Sequence, residues 1–348
     1  MYDPYSPYGE VGTNNDWYGR GLTQETMDKG TKREITLVSG VLGIGVLLFL
    51  LLGEGLGLVV RAAYASGAVD RTFNVECMFQ CAYTIVAILV PFTLAALVVK
   101  RIEKKDELMP MGPPKSPSLF WASLAVGFMA ALLCNGVNSW LNVALGQHGV
   151  SFDANPVTYP ETVSNWIWIL LCSAILPALC EEFALRGVIM QSLRKYGDGL
   201  ALGMSALLFA MMHGNMTQAP FAFLLGLVIG RLVIATNSIW TGIAIHCLNN
   251  VYSVVMSTVQ YNLGNMVTAE AVIIIMTIAF IAGLCALVWM AGMYHWKEKE
   301  PLHRRGGTDH KSRALWSRQA LLYTIISLPM AAALIWLLVK LIGTIHVQ

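Results

Sequence analysis

The sequence predicts an all-α protein that crosses a membrane eight or nine times, and three observations carry that reading. Of the 348 residues, 56% are hydrophobic and 13% charged, and a mean hydropathy of +0.59 is too high for a water-soluble domain. Nine apolar stretches approach or exceed the length needed to span about 30 Å of hydrocarbon at about 1.5 Å per residue. Lys and Arg gather in alternate loops, as expected when basic loops stay on the cytoplasmic side.

In order, the stretches are 35–60, 77–99, 118–146, 164–196, 199–213, 218–235, 239–259, 267–296 and 320–345. The fifth is short, and the fourth is long and polar towards its end. Residues 1–34, rich in Tyr, Gly, Asp and Asn, read as a disordered cytoplasmic tail. They lack the charged and then apolar start of a secretory signal, so the first span is expected to remain as an anchor. The 100–117 loop carries Lys100, Arg101, Lys104, Lys105 and Lys115, and 297–319 carries seven basic residues, which places both inside. Loops 147–163 and 260–266 carry none and fall outside. The chain divides accordingly into the 1–34 tail, accessory helices at 35–146, a core at 164–259, and C-terminal helices at 267–348 with the basic loop at 297–319.

Composition also narrows function. Twenty-three Lys and Arg against 21 Asp and Glu leave a net charge of +2, which gives nucleic acid no basic field to bind. The seven cysteines all fall in apolar stretches, where thiols act as small hydrophobes rather than as a disulfide framework. The partner implied by composition is the lipid bilayer.

Ionisable groups inside a bilayer are costly and call for a partner or a task. Three clusters qualify: Cys180-Glu181-Glu182-Phe183-Ala184-Leu185-Arg186, Phe209-Ala210-Met211-Met212-His213 and His246-Cys247-Leu248-Asn249-Asn250. At roughly 100° per residue, Glu182 and Arg186 lie about 40° apart on a helix and can pair, whereas Glu181 lies about 140° from Arg186. The two carboxylates therefore divide into a neutralised structural one and one that can face a cavity as a general base. His246 and Asn250 share a face in the same way. With Arg194 and Lys195, Gly199, and Asn237 as the cytoplasmic helix ends, Glu182 lies about 18 Å deep, His213 about 21 Å and His246 about 14 Å. One pocket can hold all three.

In this order, on separate hydrophobic helices, Glu-Glu-x-x-x-Arg, Phe-x-x-x-His and His-x-x-x-Asn resemble the signature of the type II CAAX prenyl endopeptidases and bacteriocin-processing or immunity proteins (CPBP, also called Abi). The likeness covers about 165–255. It implies about eight transmembrane helices around a conical cavity open to the cytosol, and hydrolysis of a peptide bond within the membrane. By the resemblance, Glu181 activates a water together with His213, while His246 and Asn250 stabilise the oxyanion. Glu182, Arg186 and Phe209 are structural support, and 164–259 becomes the catalytic core. The implied substrate is a peptide or lipid-anchored protein, cut from the cytosolic side of the cell membrane.

Some members of that family are described as metalloproteases. His213, His246 and Glu181 would then bind a divalent metal such as zinc. No His-Glu-x-x-His pair sets two ligands on one helix, so the reading favours a glutamate-activated water with no cofactor. Two other classes compete with an enzyme. A transporter would show two related halves with broken helices, and no such duplication is present. A non-catalytic scaffold or bacteriocin immunity protein would keep the motifs for packing alone. Outside the clusters, Arg231 is expected to snorkel to the interface, and Glu54 to reach headgroups or pack at a helix crossing. His148, His295, His303, His310 and His346 fall in loops or helix ends.

Overall fold

The computed structural model describes residues 27–104, 108–114, 116–152, 159–297 and 310–347, with the backbone alone at 294–297 and 310–317. The expected tail up to residue 26 and the basic stretch 298–309 lie outside the described residues. Polar caps start the long helices, because an N-terminal turn leaves backbone N–H groups without helical acceptors. Asp28 caps α1 (Lys29–Ala65) through the Thr31 N–H, and Thr72 caps α2 (Phe73–Glu103) through the Val75 N–H. Ser116 and the following proline start α3 (Pro117–Gln147). Thr162 and Asn165 form a reciprocal capping box at the head of α4 (Val163–Tyr196).

Two of these helices widen into a π-helical turn just ahead of a proline: Thr84–Leu89 before Pro91 in α2, and Leu171–Ile175 before Pro177 in α4. A proline ring collides with the carbonyl four residues back. Here those carbonyls belong to Ala87 and Ser173, inside the widened turns, which gives the turns a steric cause. A third π-helical turn, Phe183–Ile189, follows the Glu pair and has no proline.

A short helix, α5 (Asp198–Met212), packs against α6 (Ala219–Thr236) as a hairpin. Next comes α7 (Ile239–Lys297), whose helical backbone is kinked at Gly264, with φ 81° and ψ 178°. Only glycine adopts such a backbone freely. A β-carbon added at Gly127 of α3 would lie 2.6 Å from Ile245, and one added at Gly283 would lie 2.6 Å from Met129. In a straight helix residues 245 and 283 would be about 57 Å apart. Both touch the same turn of α3, so α7 doubles back at Gly264 into two arms. Two C-terminal helices, α8 (His310–Ile325) and α9 (Leu328–Ile342), complete the bundle, with α9 along α1.

Among the described residues, six helices are long and apolar enough to cross a membrane, or seven if the bent pair is one span. The expected eight or nine differ from this for three reasons. With 15 residues, α5 reaches only about 22 Å. The two stretches 239–259 and 267–296 form one doubled-back helix. The last stretch, 320–345, bends by 79° between Ile325 and Leu328. Among the described residues there is also one small sheet, in which β1 (Val150–Phe152) pairs antiparallel with β2 (Ile345–Val347).

Lys195 ties one end of the bundle together, reaching Glu103 of α2 at 2.8 Å and also Glu34 of α1. Loop residues 66–72 and 159–162 precede α2 and α4, so they lie at the other end. Glu54 does not stand alone at the membrane surface: it pairs with Lys340 of α9. All seven cysteines are free thiols.

Candidate active site

Near its midpoint, α4 runs from Pro177 through Glu181 and Glu182 into the third π-helical turn, which carries Arg186. Small residues there let neighbours approach closely, and the Ser205 hydroxyl of α5 donates to the Leu185 carbonyl at 3.0 Å. Arg186 is completely buried. Its guanidinium donates to Glu182 Oε1 at 2.6 Å and to the Gly226 carbonyl of α6 at 3.2 Å. It also lies 4.5 Å from the centre of the Phe209 ring, over a face that attracts cations.

His246, on the first arm of α7, bridges the two carboxylates. Its Nδ1 lies 3.0 Å from Glu182 Oε1 and its Nε2 4.0 Å from Glu181 Oε2. A carboxylate next to arginine only accepts, so Nδ1 donates and Nε2 is turned towards Glu181. The side chain of Glu182 is 0% exposed and that of Glu181 22% exposed. One carboxylate is sealed with arginine, and its neighbour is partly open.

Glycine makes this approach possible. A β-carbon at Gly242 would sit 2.7 Å from Glu182 Oε2, so any larger residue would push α7 away from α4. Among the described residues, Glu182 Oε2 and Arg186 Nε are buried without a hydrogen-bond partner. The Glu182 site is thus sterically tight.

Phe209 joins the two histidines. Both imidazoles stand edge-on to its ring, with centroids at 4.8 Å for His213 and 5.5 Å for His246. His213 ends α5, and its Nδ1 lies 2.7 Å from the Phe209 carbonyl, which again leaves Nε2 free. Asn250 does not bond to His246. It accepts from Asn249 Nδ2 at 3.2 Å, and Asn249 Oδ1 accepts from Asn135 of α3 at 3.4 Å.

Sequence reasoning passed over Asn135, Asn138 and Asn142, and it named Asn249 within the third cluster without giving it a role. Asn138 and Asn142 donate to the Thr217 carbonyl at 2.8 and 3.4 Å, pinning the loop that follows His213. The signal was legible: three asparagines at i, i+3 and i+7 in an apolar run form one polar helix face. A neutral amide carries no charge to mark it in an apolar run, and only Asn250 stood out, through its spacing from His246.

The residues named as zinc ligands do not converge as one. His246 and His213 each engage only Nδ1, with Glu182 and with the Phe209 carbonyl, and among the described residues no three His, Cys, Asp or Glu side chains form a metal-holding group.

Residues 163–252 match the family model described as type II CAAX prenyl endopeptidase Rce1-like. The matched stretch runs from α4 into the first arm of α7 and holds Glu181, Glu182, Arg186, Phe209, His213, His246 and Asn250. No curated protein and no solved structure matches the chain.

Proposed function

We propose that the protein is an intramembrane endopeptidase that cuts a peptide or lipid-anchored protein with a water activated by Glu181. The observation that carries this reading is the His246 bridge, with Nδ1 on a sealed carboxylate and Nε2 4.0 Å from an open one. A water of ordinary hydrogen-bond length fits between Glu181 Oε2 and His246 Nε2 in contact with both. Glu181 takes the proton as that water attacks the scissile carbonyl, and later returns it to the leaving amine. His213 Nε2 and the Asn250 amide are the remaining polar groups for water and oxyanion, and donors fixed in a site of low dielectric stabilise the developing charge strongly. Glu182, Arg186 and Phe209 hold His246 in place.

Counting the two arms of α7 separately, α5 as a short pass of its own and α8–α9 as one broken span gives nine passes, which sets β2 beside β1 at the end away from Lys195. The Lys195 end, with Lys100 and Arg101 beside it, is then cytoplasmic together with the N-terminus, in a multi-pass protein of the cell membrane.

The test uses the full chain in lipid nanodiscs with fluorescence-quenched peptides, with and without a prenylated cysteine. The unaltered protein is expected to cut at least one of them, and Glu181→Gln to abolish the cut while the protein stays folded. Equal cleavage by the variant would overturn the reading.

A further inference from the structure

We infer that the polar cavity between α2, α4 and the first arm of α7 receives the backbone of the peptide to be cut, with Gln80 and Ser253 as its hydrogen-bonding residues. The inference rests on the endopeptidase reading and adds where the substrate lies. The cavity has a volume of about 610 Å³, within the usual range for ligand sites. Arg71 and Tyr159 form its rim, at the end of the bundle away from Lys195, and Gln80, Ser173, Ser253 and Ser257 line it further in.

Two of these side chains have no partner of their own. The Gln80 carboxamide and the Ser253 hydroxyl are exposed and make no hydrogen bond among the described residues. Other hydroxyls on the same wall fold back onto their helix: Ser257 donates to the Ser253 carbonyl at 2.8 Å and Thr258 to the Val254 carbonyl at 2.9 Å. A free carboxamide inside a membrane span is costly unless something meets it. Glutamine offers both a donor and an acceptor, the complement of a peptide unit. An extended peptide presents such units in succession, and their recognition by polar side chains does not depend on its sequence.

The cavity runs along the helices that carry the reacting groups, although none of Glu181, His213, His246 and Asn250 lines it. Ser253 is three residues beyond Asn250 on α7, a rise of about 4.5 Å. The Thr84–Leu89 turn that follows Gln80 on α2 packs against the Leu176–Glu182 stretch of α4. Ser173 lies on α4 eight residues before Glu181. By contrast, the cleft of about 280 Å³ between α3 and the second arm of α7 is lined mainly by Met129, Leu132, Phe280 and Ile281. It offers a peptide backbone almost nothing to bond. The resemblance placed the opening at the cytosolic end, whereas this cavity reaches the loops at the other end.

The experiment uses the full chain in nanodiscs and a biotin-tagged, fluorescence-quenched peptide that the unaltered protein cuts. Gln80→Leu and Ser253→Ala are each expected to raise KM by about three- to ten-fold with kcat unchanged, as loss of one neutral hydrogen bond to bound substrate requires. In a Glu181→Gln background, a benzophenone amino acid at position 257 should cross-link the same peptide, and one at the lipid-facing position 98 should not. Cleavage with unchanged KM and no cross-link at 257 overturns the cavity assignment and leaves the endopeptidase reading standing. A fall in kcat with KM unchanged also overturns it, because it marks a structural role. If no peptide is cut, the endopeptidase reading fails; the tagged peptides then serve as cross-linking probes, and only a cross-link at 257 preserves the cavity as a peptide site.

Discussion

On the side of α4 that faces α5 and α6, Glu182 and Arg186 are completely enclosed and the Ser205 hydroxyl is spent on a backbone carbonyl. On the side that faces α2 and the start of α7, Glu181 is partly exposed, and Gln80 and Ser253 line a cavity. Both walls place polar groups within a bilayer, yet they handle the cost differently. The first pairs its charges with each other and so holds helices together, and the second leaves polar groups exposed. The boundary between the two runs between adjacent residues, Glu181 and Glu182, because one step along a helix turns a side chain by about 100°.

The contrast can be broken most forcefully at Arg186. Arg186→Ala strands the buried Glu182 charge and is expected to cost about 3–5 kcal/mol, measured by denaturant unfolding of the purified protein in detergent. Stability within error of the unaltered chain would mean that the closed wall is not structural. Gly242→Ala comes next. It forces a β-carbon towards Glu182 Oε2 and should cost about 1–3 kcal/mol by overpacking in the same assay. Ser205→Ala removes one buried hydrogen bond and should cost about 0.5–1.5 kcal/mol.

The smallest effect lies outside both walls, at the cap of α1. Hydrogen bonds from the Thr31 side chain and backbone hold the Asp28 carboxyl below its ordinary value of 3.8. A lowered folded value stabilises the charged cap above the ordinary range, and that contribution fades as pH falls through the lower folded value. Hydrogen exchange at the Thr31 amide should therefore lose protection only in acid, beyond the change of intrinsic rate, and Asp28→Asn should remove the pH dependence.

How much of this was legible depends on whether the cause is local. The Glu182–Arg186 pair follows from spacing within one helix. Gly264 separated two apolar stretches in the sequence, and the chain doubles back at that residue. Other features required knowledge of neighbours. Glu54 meets Lys340 across 286 positions, which no local pattern encodes. The 79° bend ahead of Pro329 was concealed inside one apolar run, because hydropathy does not register a missing N–H donor. The link from Asn135 to Asn249 needed both an amide face on α3 and its partner on α7. The bridge between the carboxylates likewise depended on the depth at which α7 crosses α4, which Gly242 sets.

The central claim is that two adjacent glutamates do different work, and a paired measurement tests it most directly. Cleavage rate and unfolding free energy are to be measured on Glu181→Gln and Glu182→Gln side by side. The account predicts that Glu181→Gln loses about 10²–10⁴-fold in kcat, the usual worth of a general base, with unchanged stability. Glu182→Gln is predicted to lose stability first. If the two variants behave alike, or Glu182→Gln alone loses activity in a stably folded protein, the assignment of roles is contradicted.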